Sequence, residues 1–184
     1  MRHGETEWNA EGRVQGQTES VLSARGVEHA KQQYRLMAPI LETNPPCIVS
    51  PLRRTRQTAD IALGGRKYEV DDRLKEVFAG EWEGQLRTDI FNNLPEGITP
   101  ATPHMEFYAA APGGEGFDAF QARVRDFVST LNEPTVIVAH GLSGQLLRGE
   151  LCGLTRSDLG KLTNRQGCVY VIEDGVETVL ELDG

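Results

Sequence analysis

Residues 135–141 read Thr-Val-Ile-Val-Ala-His-Gly, and this stretch decides the class of the fold. A short apolar run without polar alternation is typical of a strand that is buried on both faces, as in a parallel sheet. A helix is predicted directly after it, over residues 143–151. The short apolar run Cys47-Ile48-Val49-Ser50 is likewise followed by a predicted helix, over residues 52–63. Strands that alternate with helices indicate an α/β fold, in which sites form beyond the carboxyl ends of the strands.

The whole chain fits one domain, residues 1–184, because 184 residues are enough to bury a sizeable core. Residues 1–22 are polar and contain glycine, which predicts a long functional loop. Residues 85–112 are weakly periodic and predict short helices and loops, so we expect a cap-like insertion at about 85–116. The other predicted elements are helices over residues 24–41 and 117–131, a strand over 67–70, and a hairpin of residues 168–172 and 176–182.

The composition excludes several classes of function. The net charge of −8 argues against general nucleic-acid binding, which needs a basic surface. No apolar run is long enough for a membrane span, and a start of Met-Arg-His-Gly-Glu-Thr is not a signal peptide. The three cysteines form no C-x-x-C pair and the four histidines form no metal-binding motif. We therefore predict a cytoplasmic protein with reduced thiols, without a metal or a cofactor.

Four segments carry chemically reactive residues. Residues 2–9 read Arg-His-Gly-Glu-Thr-Glu-Trp-Asn, and residues 50–59 read Ser-Pro-Leu-Arg-Arg-Thr-Arg-Gln-Thr-Ala. Residues 74–84 contain Leu-Lys-Glu followed by Gly-Glu-Trp-Glu-Gly, and the fourth segment, residues 136–141, reads Val-Ile-Val-Ala-His-Gly. In this order and at these spacings, the segments resemble branch 1 of the histidine phosphatase superfamily, the phosphoglycerate mutase-like family. The match extends from residue 1 to about residue 150.

The resemblance implies a three-layer α/β/α sandwich with a mostly parallel central sheet. It also implies the role of each matching residue. His3 resembles the nucleophile, Arg2 and Arg54 the phosphate clamp, and Glu76 the proton donor. The remaining matches are His140 as the second histidine of the pocket, Asn9 as a contact to a phosphoryl oxygen, and Gln15 and Gly16 as the loop that follows.

These roles agree with the chemistry of phosphoryl transfer. The reaction depends on positioning and on electrostatic stabilisation of three equatorial oxygens, which arginine forks provide well. A neutral imidazole has a lone pair and can attack phosphorus. An ester oxygen leaves poorly as an alkoxide, so an acid such as Glu76 has to protonate it. Gly141 and Leu142 lie where a helix is predicted to begin, so we expect their N–H groups to meet a phosphoryl oxygen.

Three functions remain open at this point. The first is a phosphatase that acts on a small phosphorylated metabolite, and the second is a cofactor-dependent phosphoglycerate mutase. The third is a non-catalytic phosphate-binding protein, which the presence of all the reactive residues disfavours. Residues 85–112 contain only one basic residue, Arg87, and residues 76–79 read Glu-Val-Phe-Ala where mutases have Glu-Arg-His-Tyr. These departures favour a phosphatase.

Several details stay undecided by the sequence. His104 is either a surface residue of the cap or a substrate contact, and Glu115 is either a helix-start carboxylate or a pocket residue. Neither nucleic acid nor membrane is expected as a partner, and the oligomeric state is open, with a homodimer as one alternative.

The beginning of the chain departs from the family pattern. Members of the family have an apolar strand directly before Arg-His-Gly, at the middle of the sheet, whereas this sequence starts at Met1. We therefore expect a slot between two strands and a displaced Arg2. The hypothesis at this stage is that the functional protein begins upstream of Met1. The alternative is that another segment or a partner chain fills the slot.

Overall fold

The computed structural model describes residues 1–99 and 101–182. Within these residues the strands are short and the helices are of moderate length. The strands are β1 (Cys47–Val49), β2 (Glu69–Val70), β3 (Val136–Val138), β4 (Val169–Glu173) and β5 (Val176–Leu180). The helices are α1 (Glu7–Glu11), α2 (Ala24–Leu41), α3 (Arg53–Ala62), α4 (Arg87–Asn92), α5 (His104–Ala109), α6 (Phe117–Ser129) and α7 (Leu142–Leu151), and there are 3₁₀ turns at Asp72–Leu74, Gly80–Trp82 and Leu159–Lys161.

The two strands predicted to be buried form the centre of a parallel sheet in the order β2-β1-β3. Val49 and Val138 are adjacent in the register and fully buried. Because β1 and β3 are parallel, the residues that follow them, Ser50 and His140, lie at the same edge of the sheet. The α/β fold with a mostly parallel sheet is therefore confirmed.

Alternate residues of β1 and β3 pack against different helices, as the two-residue period of a strand requires. Val49 and Val138 belong to a cluster with residues of α2 and α3. Ile48 and Ile137 pack against a second cluster, which contains residues of α6, α7 and the cap. Helices thus cover both faces of the sheet, and the result is the expected three-layer arrangement.

The first three residues run beside the end of β3. The Ala139 N–H donates to the Met1 carbonyl at 2.9 Å, and the His3 N–H donates to the Ala139 carbonyl at 3.0 Å. Between β3 and the β4–β5 hairpin lies a cavity of about 350 Å³, lined by Met1, Val136, Val169 and neighbouring residues. This cavity lies where the sequence predicted a slot.

Two expectations about the beginning of the chain need correction. Residues 1–22 are not one long loop, because Glu7–Glu11 is helical: Thr6 caps the helix, and Asn9 completes a reciprocal capping box. Arg2 is not displaced either. The backbone pairing around Ala139 holds it at the edge of the sheet, and the Arg2 carbonyl accepts a hydrogen bond of 2.8 Å from the side chain of Gln33.

The cap contains two short helices, α4 and α5, and an aromatic cluster anchors it. Phe107 stacks on Phe91 with ring centroids 5.0 Å apart and lies 4.8 Å from the ring of Trp82. The cap therefore belongs to the same core cluster as α6 and α7. Glu115 is not a pocket residue, because its carboxylate pairs with Arg123 at 2.8 Å and accepts from the Phe78 N–H.

Candidate active site

The predicted site residues come together at the carboxyl edge of the sheet. A cleft of about 70 Å³ lies there, and His140 is directly behind it, with its ring centroid 5.3 Å from that of His3. The sequence-predicted residues that line the cleft are Arg2, His3, Asn9, Gln15, Gly16, Arg54, Glu76, Gly141 and Leu142.

The imidazole of His3 is held in one tautomer. The ring is buried, and its Nδ1 lies 2.7 Å from the Gly4 carbonyl oxygen, which can only accept a hydrogen bond. Nδ1 therefore carries the proton and Nε2 keeps its lone pair. Burial, followed by the charges of Arg54 and Arg2, holds the pKa of His3 well below its usual value. The ring is thus a neutral potential nucleophile.

Gly4 is required for this arrangement. A Cβ on Gly4 would lie 2.2 Å from the Gly26 carbonyl oxygen in the first turn of α2, and that distance excludes any side chain. The Gly4 N–H donates to the Thr58 hydroxyl at 3.0 Å, which fixes the peptide that follows His3.

Arg54 is fully buried, and its guanidinium is oriented by three acceptors. Nε donates to His140 Nδ1 at 3.1 Å, Nη1 to the Thr18 carbonyl at 3.0 Å, and Nη2 to the Gly16 carbonyl at 2.6 Å. A guanidinium has five N–H bonds, so the two remaining ones are available to an oxyanion in the cleft. Burial lowers the pKa of Arg54 to about 10, and the carboxylate of Glu76 opposes that shift. Arg54 therefore stays charged at neutral pH.

His140 connects Arg54 to the strand ends. Its Nδ1 accepts from Arg54, so its Nε2 carries the proton and donates to the Ser50 hydroxyl at 2.7 Å. Burial, and next the charge of Arg54, hold the pKa of His140 well below its usual value. The two strand ends, at Ser50 and His140, thus fix the orientation of Arg54.

Arg2 has a buried donor that finds no acceptor among the described residues. Its Nη1 donates to the carbonyl oxygen of Asn164 at 2.6 Å, and the amide oxygen of the same residue lies 3.3 Å away. Its Nε is buried, and no residue in the described ranges accepts a hydrogen bond from it. An unsatisfied buried N–H is costly unless a ligand or water pairs with it, so it indicates a binding function.

Glu76 lies at the beginning of α7. Its Oε1 accepts from the N–H groups of Val77 at 3.0 Å and Ser143 at 2.8 Å, and its Oε2 accepts from the Leu142 N–H at 2.9 Å. The Leu142 N–H, which we expected to meet a phosphoryl oxygen, is therefore paired with Glu76 in this structure. Oε2 has one protein donor and Oε1 has two, so Oε2 is the oxygen with room for a proton.

The sequence did not indicate the loop that precedes β4. Asn164 holds Arg2, and the Gln166 side chain donates to the His3 carbonyl and to Asn9 Oδ1, both at 3.2 Å. His104 and Tyr108 of the cap also line the cleft. For His104, the substrate-contact alternative is therefore the one that the geometry favours. The loop carries no recognisable motif, and its part in the site is evident only from its proximity to His3 in the folded chain.

Other kinds of site are not evident in the described part of the chain. Across residues 1–99 and 101–182, no three His, Cys, Asp or Glu side chains are grouped so that they would hold a metal ion. No helix among the described residues has the length and apolar character needed to cross a membrane.

The comparisons agree with this geometry. The family model described as histidine phosphatase superfamily (branch 1) matches residues 1–179. Over 180 residues the chain is 30% identical to the adenosylcobalamin/alpha-ribazole phosphatase of Escherichia coli (strain K12), covering 94% of this chain and 87% of that enzyme. It is 33% identical over 200 residues to phosphoserine phosphatase 1 of Hydrogenobacter thermophilus, covering 100% of this chain and 90% of that enzyme.

A solved structure gives the same result. The alpha-ribazole phosphatase from Shigella flexneri superimposes with a TM-score of 0.77 at 28% identity, covering 100% of this chain and 94% of that one. The chain is therefore an enzyme, and it belongs to branch 1 of the histidine phosphatase superfamily.

Proposed function

We propose that this enzyme hydrolyses phosphate monoesters of small metabolites through a phosphohistidine on His3, without a metal ion. The observation that carries the proposal is that His3 shares the cleft with two arginines, the buried Arg54 and the half-buried Arg2, that have N–H groups left over. His3 has a free lone pair on Nε2, Arg54 has two unpaired N–H bonds, and Arg2 has an unpartnered Nε. A tetrahedral oxyanion supplies the acceptors that these groups lack.

In the first step, the lone pair of His3 Nε2 forms a bond to phosphorus while the bond from phosphorus to the ester oxygen breaks. Arg2 and Arg54 stabilise the charge on the phosphoryl oxygens. The leaving oxygen takes a proton from Glu76 Oε2, and the product alcohol departs. Because His3 starts neutral, it needs no base to activate it.

In the second step, water attacks the phosphohistidine. The ionised Glu76 accepts one proton of the water as the new bond to phosphorus forms, and the bond from phosphorus to nitrogen breaks. Inorganic phosphate is released, and both His3 and Glu76 return to their starting states. One carboxylate thus serves as acid and then as base, as microscopic reversibility requires.

The substrate class is supported by the cleft and by the names of the relatives. A cleft of about 70 Å³ has room for a phosphoryl group and little more, so the rest of the substrate has to lie toward Arg87, His104 and Tyr108. Two of the matched relatives are named as an adenosylcobalamin/alpha-ribazole phosphatase and as phosphoserine phosphatase 1, whereas others are named as probable phosphoglycerate mutases. Three free cysteines fit a reducing compartment, and we propose the cytoplasm.

The experiment is a rapid-quench reaction with ³²P-labelled substrate in the presence of EDTA. The wild type should accumulate a label that is acid-labile and alkali-stable, and peptide mapping should place it on His3. His3→Ala should lose the label and its turnover of p-nitrophenyl phosphate, because the lone pair of His3 Nε2 is the proposed nucleophile. A His29→Ala variant is the matched control and should keep both.

Three results would overturn the proposal. Wild-type turnover in His3→Ala would exclude His3 as the nucleophile. Loss of turnover with EDTA that a divalent metal restores would exclude the metal-free reaction. Transfer of the label to phosphoglycerate faster than to water would instead identify a mutase.

A further inference from the structure

The Gly-Glu-Trp-Glu-Gly segment, residues 80–84, has no part in the mechanism as described, although it belongs to the motif that contains Glu76. Trp82 is a core residue, with 4% of its surface exposed. Glu83 is half-buried, and its carboxylate points at the loop of residues 15–18. The carboxylate of Glu83 is therefore the chemically reactive group of the segment that still lacks a role.

The carboxylate of Glu83 accepts from three donors, two of which belong to that loop. Its Oε1 accepts from the N–H of Gln17 at 2.7 Å and from the N–H of Ala79 at 3.2 Å, and its Oε2 accepts from the Thr18 hydroxyl at 2.5 Å. Gly16 has a φ of +52°, and a Cβ there would lie 2.0 Å from Glu83 Oε1. Only glycine therefore lets the loop approach the carboxylate this closely.

The same loop orients the guanidinium of Arg54. The two carbonyls that accept from its Nη1 and Nη2 are those of Thr18 and Gly16, on either side of Gln17. The direction of these carbonyls decides where the two free N–H bonds of Arg54 point. A shift of the loop is thus transmitted directly to the phosphate clamp.

We propose that Glu83 is a positioning residue that fixes the Gly16–Thr18 loop and, through it, the phosphate-binding orientation of Arg54. The inference rests on the proposed function, because it assigns Arg54 to the phosphoryl group. Glu83 also ties the loop to the segment of the acid, since it accepts from Ala79 while the Gln17 side chain donates to the Glu76 carbonyl at 3.1 Å. Glu83 thus fixes the position of Arg54 relative to that of Glu76.

Charge supports the geometry. Burial is the largest influence on the pKa of Arg54 and lowers it, whereas the carboxylates of Glu76, Glu19 and Glu83 raise it in that order. Glu83 therefore helps to keep the buried guanidinium protonated. Loss of its carboxylate removes an anchor of the loop and one of the charges that compensate Arg54.

The test is a double-mutant cycle between Glu83→Ala and Arg54→Lys, read out as kcat/KM for p-nitrophenyl phosphate and as orthovanadate affinity by calorimetry. Glu83→Ala should lower both by about ten- to a hundredfold, the usual effect of misplacing a catalytic group by about 1 Å. In the Arg54→Lys background the same substitution should change either quantity by less than about twofold, because the group it positions is gone.

Two further variants separate positioning from folding. Glu83→Gln keeps an acceptor for the N–H groups of Gln17 and Ala79, so it should recover most of the vanadate affinity. Glu81→Ala removes an exposed carboxylate from the same segment and should stay within about twofold of wild type. Equal losses from Glu83→Ala in both Arg54 backgrounds, or no loss at all, would overturn the inference. Failure of the proposed function would appear separately, as the absence of phosphohistidine in the wild type, whereas vanadate affinity still reports on Arg54.

Discussion

The two buried histidines make the stability of the protein depend on pH in a way that can be measured. His3 and His140 are 3% and 1% exposed, and burial together with the charge of Arg54 lowers the pKa of each ring well below 6.5. In the unfolded chain the same rings take up a proton at about pH 6.5. Below that pH the unfolded state binds more protons than the folded state, so stability has to fall as the pH falls.

The size of the effect follows from linkage. Each ring that stays neutral in the folded state costs about 1.4 kcal/mol of stability per pH unit well below pH 6.5. Integrated from pH 8 to pH 5, the loss is about 2 kcal/mol for one histidine and about 4 kcal/mol for both. The amino group of Met1 acts with the same sign, since burial and then the charge of Arg148 lower its pKa to about 5. The free energy of unfolding therefore depends on pH more steeply than the two histidines alone would make it. A variant is needed to isolate the contribution of one ring.

The assay is equilibrium urea unfolding at pH 8, 7, 6 and 5, followed by tryptophan fluorescence, because unfolding exposes the buried Trp82 to water. Phosphate and sulfate have to be left out of the buffer, because an anion that binds the folded state adds stability of its own. His3→Gln should lose about 2 kcal/mol less than wild type between pH 8 and pH 5. If both proteins lose the same amount, the ring of His3 is not held neutral, and the assignment of its lone pair is wrong.

Two other predictions concern the acid and the cavity. Glu76→Gln should slow alkyl phosphates at least tenfold more than p-nitrophenyl phosphate, whose leaving group needs little protonation; equal losses on the two substrates would make Glu76 a structural residue. Five apolar β-branched residues placed before Met1 should raise the midpoint of urea unfolding, because each apolar side chain that becomes fully buried in the cavity contributes about 1.5–3 kcal/mol. An unchanged midpoint would show that a strand does not enter between β3 and β4.

Local patterns in the sequence predicted most of the secondary structure. The helix predicted over residues 24–41 has those bounds in the structure, and the buried strands before Ser50 and His140 lie side by side as expected. These elements depend on periodicity and on capping, which act over a few residues. The same locality explains the error over residues 1–22, where the capping box of Thr6 and Asn9 outweighs a polar composition that predicts a loop.

By itself, the sequence determined the family of this enzyme and the residues that carry its proposed chemistry. These residues belong to motifs of fixed spacing, which lie at the ends of the strands and helices. Only the tertiary structure decided the state of those residues. The tautomer of His3, the two free N–H bonds of Arg54 and the pairing of Leu142 with Glu76 depend on partners from other segments. Arg2, for example, is held by Asn164, 162 residues away along the chain. The physical reason is that hydrogen bonding and burial act through space, and residue spacing in a sequence does not specify which distant groups meet.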